Sequence, residues 1–202
     1  MRRTKEEAEQ TRKNLIRIAV HVFREKSFAA TRMSDIAEAA GVTRGAIYHH
    51  FGSKVELLKA VALEHRNFFT GMVEEVLKKE GLNTIVAIKQ MIHSIFHKLV
   101  ADVYFRHFME ILLKSDIKKE FPEIADLFGE NKYEGYNQLV AIVEDGKEKG
   151  SVRKDLDSMK YAFFVISTIF GIIAMWIENQ ERLDLVGDAE ILSDFICAPL
   201  RS

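Results

Sequence analysis

The chain has 202 residues, 48% apolar and 29% charged, so it is long enough to bury a sizeable core beneath a charged surface. Its single cysteine, Cys197, excludes an intrachain disulfide, and we expect a reducing compartment. Residues 1–66 hold 13 Lys and Arg against 8 Asp and Glu, whereas the remainder holds 16 against 22. This asymmetry favours an anion-binding N-terminal part. The basic N-terminus lacks the apolar stretch of a signal peptide.

Apolar residues recur at helical spacing along the chain and no segment shows sustained strand alternation, so the sequence predicts an all-α fold. The first helix is expected to begin at Thr4, which forms a capping box with Glu7. A long fourth helix is expected to begin at Ser53, which repeats this pattern with Glu56. The later helices are predicted at about 33–40, 43–50, 53–79, 83–100, 102–114, 122–148, 157–179 and 188–198.

Residues 33–52 have the spacing of a helix-turn-helix. Ala37 is small where two helices cross closely, and Gly41, four residues later, suits a left-handed turn. This arrangement places Thr43, Arg44, Gly45, Tyr48 and His49 on the outer face of the second helix. A recognition helix of this kind enters the major groove of DNA with its N-terminal residues toward the base edges. A glycine-turned helix pair also occurs in proteins that never touch DNA, and spacing alone leaves that alternative open.

The outer face carries side chains suited to reading and holding DNA. Arg44 has the fork geometry for a bidentate pair with guanine O6 and N7. Gly45 lets the backbone come close, and Tyr48 suits a thymine methyl group or a phosphate. The expected phosphate contacts, which fix register without reading sequence, are Thr43, His49, His50 and Lys54. The helix N-terminus at Lys54 also attracts anions through its unpaired N–H groups.

At these residues the sequence resembles the TetR family of bacterial transcriptional regulators, and its drug-efflux repressor branch in particular. The resemblance covers residues 16–58 and includes the specific run "GVTRGAIYHHF", whereas residues 155–179 match the family's dimerisation helix only in pattern. It implies a three-helix DNA-binding head (residues 1–52) and a helical ligand-binding and dimerisation body (residues 53–202). By position, the family's DNA contacts would be Thr31, Ser34, Arg44, Gly45, Tyr48, His49, His50 and Lys54. Gly52 departs from the lysine or aspartate of many members.

The body is rich in aromatic residues, since 16 of the 20 Phe, Tyr and Trp residues follow residue 66. As a set they favour an apolar cavity for a hydrophobic or aromatic compound, although each one alone is explained more simply as core. The candidate lining residues are Phe96, Tyr104, Phe105, Phe108, Met109, Tyr136, Phe163, Ser167 and Phe170. His93 and His97 have metal-ligand spacing, but neither a cysteine nor a carboxylate pair accompanies them, so no metal site is predicted. No cofactor and no catalytic motif is predicted either.

Two apolar helices near the C-terminus, at about 161–177 and 188–198, are expected to form a homodimer interface across a two-fold axis. An intramolecular core remains the alternative. The segment 161–177 reaches the lower length limit of a membrane span, but Tyr161, Ser167 and Thr168 interrupt it, and we expect it to be buried in protein instead.

The resulting hypothesis is a cytoplasmic, ligand-responsive repressor that binds a palindromic DNA operator as a homodimer. A small hydrophobic or aromatic effector would release it, and its target would be an efflux pump or its own operon. Two alternatives stay open: a helical module that binds a protein through its basic head, and a nucleoid-type DNA binder without a ligand.

Overall fold

The computed structural model describes residues 5–78, 81–114 and 132–201, and it contains nine α-helices and one short 3₁₀ helix in those ranges. No strand occurs among these residues, so the predicted all-α fold is confirmed. The predicted cap at Thr4 and residues 122–131 of a predicted helix lie outside the described ranges. The helices are α1 (Lys5–Lys26), α2 (Met33–Ala39), α3 (Arg44–His50), α4 (Lys54–Leu77), α5 (Thr84–Ala101), α6 (Val103–Lys114), α7 (Lys132–Glu148), α8 (Ser158–Glu178) and α9 (Ala189–Cys197), followed by the 3₁₀ helix Ala198–Leu200.

Side-chain caps explain where two of the long helices begin. The hydroxyl oxygen of Ser53 accepts a hydrogen bond from the backbone N–H of Glu56 at 3.1 Å, as the sequence predicted for the start of α4. A carboxylate oxygen of Asp157 accepts one from the backbone N–H of Lys160 at 3.0 Å at the start of α8. Each cap satisfies a donor that the first helical turn leaves unpaired.

The chain divides by its internal contacts into two compact units. The first unit contains α1, α2, α3, α4 as far as Arg66, and α6 from Tyr104. In it, α2 packs on α1 and on α3. The fully or almost fully buried apolar residues of its three N-terminal helices are Leu15, Ile16, Ala19, Val20, Phe23, Ile36, Ala37 and Ile47. The predicted division into a DNA-binding head (residues 1–52) and a ligand-binding and dimerisation body (residues 53–202) concerns function and stays a prediction.

The second unit contains the rest of α4 from Asn67, together with α5, α7, α8 and α9. There α5 packs on α9, and α7 packs on α8 and on α5. The hydroxyl of Tyr161 in α8 donates to the carbonyl of Ile196 in α9 at 3.2 Å, so these two helices are neighbours. Burial is the main cause that raises the pKa of the Cys197 thiol, to about 11, and the thiol therefore stays protonated at neutral pH.

Helix α8 carries a buried face and an exposed apolar face. Tyr161, Val165, Ile173 and Trp176 are buried, and the Trp176 indole N–H donates to the carbonyl of Leu183 at 3.2 Å. The apolar residues that stay exposed on α8 and α9 are Met159, Phe163, Phe164, Phe170, Met175, Ile191 and Phe195. We call these seven residues the C-terminal apolar surface. Within the described ranges, α8 alone is long and apolar enough to cross a bilayer, a property that core helices of soluble proteins share.

The close contact between α7 and α5 depends on a glycine. A Cβ atom added at Gly146 would lie 2.6 Å from the Thr84 hydroxyl oxygen and 2.7 Å from a methyl carbon of Val152, whereas one added at Gly135 in the same helix meets nothing within 4 Å. Both neighbours of Gly146 are short β-branched side chains with little freedom to move away.

We therefore expect Gly146→Ala to lower the free energy of unfolding by about 1–3 kcal/mol, because an added methyl group overpacks the contact. Gly135→Ala is the matched control and is expected to raise it by about 0.5–1 kcal/mol through helix propensity. Urea denaturation of both variants measures the difference. Equal effects of the two substitutions would contradict the close packing of α7 on Thr84.

Candidate nucleic-acid interface

The second helix of the helix-turn-helix is anchored by one face and open on the other. The hydroxyl oxygen of Thr43 caps α3 by accepting from the backbone N–H of Ala46 at 3.2 Å. Ile47 is completely buried, and Phe51 just after the helix is 3% exposed. These contacts hold a helix of only seven residues, which is too short to be stable alone.

The turn between α2 and α3 fixes how the two helices cross. Gly41 has φ +63°, a left-handed conformation that glycine adopts at little cost. The backbone N–H of Val42 donates to the carbonyl of Ala37 at 3.0 Å, and that of Gly41 donates to the carbonyl of Glu38 at 3.0 Å. Both bonds satisfy carbonyls at the end of α2. The predicted turn at Gly41 is therefore confirmed.

The exposed face of α3 brings together most of the residues that the sequence assigned to DNA. Thr43, Arg44, Gly45, Tyr48 and His49 are all exposed, with 53% of the Tyr48 surface accessible. Ser34 in the first turn of α2 and His50 at the end of α3 are half-buried. The structure thus gathers guanidinium, hydroxyl, phenol and imidazole groups around one short helix, in the arrangement expected for a groove-reading surface.

Among the residues that the structure describes, no contact requires a glycine at position 45. A Cβ atom added there would meet only the Thr43 hydroxyl oxygen, at 3.9 Å, and the backbone of Gly45 is not in the left-handed region. Glycine is otherwise unfavourable in a helix. Packing among the described residues therefore does not account for this glycine, and its close approach to a base edge stays a prediction.

Two residues of the predicted set lie inside the head instead of on this face. Thr31 is 2% exposed, and its hydroxyl donates to the carbonyl of Ser27 at 2.6 Å. Lys54 is half-buried, and its ammonium donates to three backbone carbonyls of the α1–α2 connection. The motif that pointed to these residues gave their positions in the chain, but it did not show which way their side chains turn.

Two further cations of the head were not predicted from the sequence. The guanidinium carbon of Arg12 lies 5.0 Å from the ring centre of Phe51, which places Arg12 beside the end of α3. Arg32 is exposed directly before α2, and its backbone N–H donates to a carboxylate oxygen of Asp35 at 2.8 Å. That hydrogen bond is the main cause that lowers the pKa of Asp35. The positive charge of residues 1–66 was the only signal for these two arginines.

The predicted effector residues fall into both units. In the first unit, the buried ring of His65 in α4 stacks on Phe108 of α6 with 3.8 Å between ring centres, and on Tyr104 at 4.9 Å. The Tyr104 hydroxyl donates to Glu64 at 2.9 Å. Phe105, Phe108 and Met109 are buried. An apolar and aromatic cluster therefore joins α6 to α4.

Helix α6 also contacts α1 along a row of three residue pairs. The Arg17 guanidinium lies 5.7 Å from the Tyr104 ring centre, the His21 and His107 rings stack at 6.0 Å, and Arg24 pairs with Glu110 at 2.5 Å. The three residues on α1 are spaced by four and three positions and the three on α6 by three and three, so each set lies on one helix face. Burial first, and the nearby Arg24 charge second, lower the pKa of His107. We call these three pairs the α1–α6 row.

In the second unit the predicted pocket residues separate by burial. Phe96 is completely buried, and Tyr136 is half-buried with its hydroxyl donating to the carbonyl of Met159 at 2.9 Å. Phe163, Ser167 and Phe170 are exposed on α8, with 68% of Phe163 accessible. These last three side chains therefore do not wall an enclosed cavity within the single chain.

The histidines at metal-ligand spacing make ordinary polar contacts. His93 Nε2 lies 3.1 Å from the Ser193 hydroxyl oxygen and 3.5 Å from a Glu190 carboxylate oxygen, while the side chain of His97 is exposed. In the described ranges, no three His, Cys, Asp or Glu side chains converge as a metal site needs. The role of His93 within these ranges is a link between α5 and α9.

Comparisons with known proteins agree with this geometry. Residues 15–61 match the family described as bacterial regulatory proteins, tetR family. The chain is 30% identical over 191 residues to the probable HTH-type transcriptional regulator ArpR of Pseudomonas putida, an alignment that covers 94% of this chain and 91% of that protein.

Two solved structures are similar over most of their length. The SmeT–triclosan complex is 25% identical with a TM-score of 0.76, covering 94% of this chain and 90% of that one; SmeT is described as the repressor of the Stenotrophomonas maltophilia multidrug efflux pump SmeDEF. FadR of Bacillus subtilis in complex with stearoyl-CoA has a TM-score of 0.80 at 23% identity, covering 93% and 98%, and that likeness concerns the fold.

The exposed second helix, the glycine turn and the helices of the described residues, together with these relatives, place the chain among DNA-binding transcriptional regulators of the helix-turn-helix class. The chain belongs to the TetR family of bacterial transcriptional regulators. The resemblance drawn from residues 16–58 is confirmed, and so is its consequence that the protein is a regulator and not an enzyme.

We expect Gly45→Ala to leave the free energy of unfolding unchanged or slightly higher, because the position is open and alanine favours the helix. The same substitution is expected to weaken DNA binding by about tenfold, or ~1.4 kcal/mol, because the added methyl group projects toward the groove. Thermal unfolding and fluorescence anisotropy with labelled duplex measure the two effects. Gly71→Ala, an open helical glycine in α4, is the control and should leave DNA affinity unchanged. Loss of stability without loss of affinity would contradict the role assigned to Gly45.

Proposed function

We propose that this regulator is a ligand-responsive repressor that binds a palindromic DNA operator as a homodimer. The observation that carries the proposal is the exposed face of α3, where Arg44, Gly45 and Tyr48 face outward while Ile47 is completely buried. A helix held by its buried face suits the major groove when it carries an outward arginine and a glycine that packing among the described residues does not require.

The exposed groups divide into base-reading and phosphate-holding roles. Arg44 provides the bidentate pair with a guanine, and Tyr48 contacts a thymine methyl group or a phosphate. Ser34, Thr43, His49 and His50 hold phosphates around the groove and fix the register of α3. Arg12 and Arg32 add positive charge beside α3 and before α2, which strengthens binding to any duplex.

The C-terminal apolar surface supports the homodimer. Its residues lie on neighbouring helices α8 and α9, and Phe163 and Phe195 are 68% and 66% exposed in the single chain. A soluble protein rarely leaves several large apolar side chains exposed on adjacent helices unless a partner covers them. A second copy placed across a two-fold axis would cover the same surface on both chains. We therefore reassign Phe163, Ser167 and Phe170 from the predicted pocket to this interface.

A dimer explains why the operator should be palindromic. Two identical heads related by a two-fold axis read two half-sites in opposite orientation, with centres about 34–36 Å apart or a simple multiple of that spacing. Any change that alters the separation of the heads weakens binding at both half-sites together.

The effector is proposed to be a small hydrophobic or aromatic molecule. The triclosan complex of SmeT and the stearoyl-CoA complex of FadR each hold a compound with a large apolar part, in relatives of this fold. The remaining candidate pocket residues are aromatic or apolar: Phe96 and Tyr136 in the second unit, and Tyr104, Phe105, Phe108 and Met109 in the first. An efflux pump or the regulator's own operon is the proposed target, and the cytoplasm its proposed location.

The effect of a bound effector is proposed to reach the head through the α1–α6 row. Because α6 contacts His65 of α4 and also Arg17, His21 and Arg24 of α1, a shift of α6 acts on α1 of the head and on α4, which follows the head in the chain. To weaken operator binding a hundredfold, an effector has to prefer the released state by about 2.8 kcal/mol.

The test of DNA recognition begins with selection of duplexes from a random pool, together with fragments from around the gene. Arg44→Ala is expected to reduce discrimination between the selected duplex and a scrambled one by about 1–3 kcal/mol, because a bidentate base contact is lost. Fluorescence anisotropy across a salt series measures it. Compounds added to the same complex, triclosan and long-chain acyl thioesters first, identify an effector.

Two other results would contradict the proposed function. Equal, salt-steep binding to every duplex would instead favour a nucleoid-type DNA binder. The absence of binding to any duplex at low salt would favour a module that binds a protein partner through its basic head.

The proposed dimer is tested by placing a charged side chain in its interface. Phe195→Glu is expected to convert the dimer into monomer, because a carboxylate within an apolar interface loses its hydration. Val86→Glu, at a 42%-exposed apolar position on α5 outside the C-terminal apolar surface, is the matched control and should stay dimeric. Sedimentation velocity measures both. A wild-type protein that sediments as a monomer at micromolar concentration contradicts the interface.

A further inference from the structure

The connection between α1 and α2 folds its carbonyl groups inward. Ser27 has φ +66°, a left-handed conformation that is uncommon for a residue with a side chain. Its carbonyl accepts from the backbone N–H of Thr31 at 3.2 Å and from the Thr31 hydroxyl at 2.6 Å. Thr31 is thereby held in the interior, at 2% exposure. The connection is a compact turn fixed by its own hydrogen bonds.

The ammonium of Lys54 occupies the centre of this turn. Its Nζ donates to the carbonyl of Phe28 at 2.6 Å, to that of Thr31 at 2.9 Å and to that of Ala29 at 3.1 Å. It also lies 4.5 Å from the ring centre of Phe28, close enough for a cation–π contact. A lysine ammonium has three N–H donors, and three carbonyls accept here. The group is therefore committed to the protein's own backbone.

We call these three hydrogen bonds the clamp, and the position of Lys54 in the chain determines which elements they connect. Lys54 is the first residue of α4, and Thr31 precedes the first residue of α2, Met33, by only two positions. The clamp therefore ties the beginning of α4 to the beginning of α2. Since α3 packs on α2, the orientation of the recognition helix depends on that tie. Ammonium–carbonyl bonds are charge-assisted and shorter and stronger than neutral ones.

We propose that Lys54 is a positioning residue for DNA recognition and does not contact a phosphate. It holds the α1–α2 connection, and through it α2 and α3, in the orientation that binds DNA. This inference rests on the proposed recognition of DNA by α3. It reverses the role that the sequence assigned to Lys54, and it explains why Thr31, predicted as a DNA contact, is buried beneath the same turn.

The test uses the 202-residue protein and the duplex selected with wild-type protein, at a temperature where circular dichroism shows every variant folded. Lys54→Met is expected to weaken binding by about tenfold, the equivalent of one charge-assisted hydrogen bond. The slope of log affinity against log salt is expected to stay that of the wild type. Lys54→Arg is expected not to restore affinity, because a planar guanidinium cannot direct its donors at three carbonyls that converge on one point.

Lys59→Met is the matched control. Lys59 lies on the same helix, carries the same charge and pairs with Glu56 at 2.9 Å instead of with the α1–α2 connection. It should leave the affinity at its wild-type value. Any general effect of losing one positive charge from the first turns of α4 appears equally in both variants and is subtracted by the comparison.

Two results would overturn the inference. A phosphate contact predicts that Lys54→Met lowers the salt slope by about 0.9 and that Lys54→Arg restores both slope and affinity. A purely structural role predicts a lower melting temperature with wild-type affinity in the folded variant. If the wild type binds no duplex, the proposed function fails instead, so the two failures are distinguishable.

A measurement on the wild-type protein decides the question if Lys54→Met does not fold. With ¹⁵N-labelled lysine, the Lys54 ammonium signal is expected to be visible in the free protein, because three carbonyls slow its hydrogen exchange. We expect its chemical shift to be unchanged when the selected duplex is added. An ammonium signal that appears only with DNA, or that shifts on binding as a phosphate-bound group does, contradicts the positioning role.

Discussion

The recognition helix α3 has seven residues, and a helix of that length has no stability of its own in water. Everything that makes the head a DNA-binding unit follows from this constraint. Ile47 and Phe51 bury the inner side of α3, Thr43 caps its start, and Gly41 sets its crossing with α2. Helix α2 is in turn held by α1 and, through the α1–α2 connection, by the Lys54 ammonium. The outer side of α3 is therefore presented at an orientation that its own sequence does not determine.

The same dependence connects the head to the rest of the first unit. Helix α4 reaches the head through Lys54 at its beginning and carries His65 about three turns later, where the ring stacks on Phe108 of α6. Helix α6 returns to α1 through the α1–α6 row. A change at α6 is thus able to act on the head along α4 and along α1, and the two routes meet at α2. This closed set of contacts gives physical content to the proposal that an effector alters DNA binding.

Much of the fold was predictable because its signals are local. The cap at Ser53 and the turn at Gly41 depend on a few consecutive residues, and both appeared as predicted. The exposed face of α3 was predictable for the same reason. Periodicity identifies an apolar face but does not say what covers it, so Phe163 and Phe170 were assigned to a pocket although they are exposed in the single chain. The direction of the Lys54 side chain depends on carbonyls 23 to 26 residues away, which no local pattern records.

A crystal structure of the protein bound to its selected duplex would test the role of α3 directly. We expect α3 in the major groove, with the Arg44 guanidinium within hydrogen-bonding distance of a guanine O6 and N7. We expect the Lys54 ammonium still to donate to the carbonyls of Phe28, Ala29 and Thr31. A complex in which α3 lies outside the groove, or in which another face of the head holds the DNA, would contradict it.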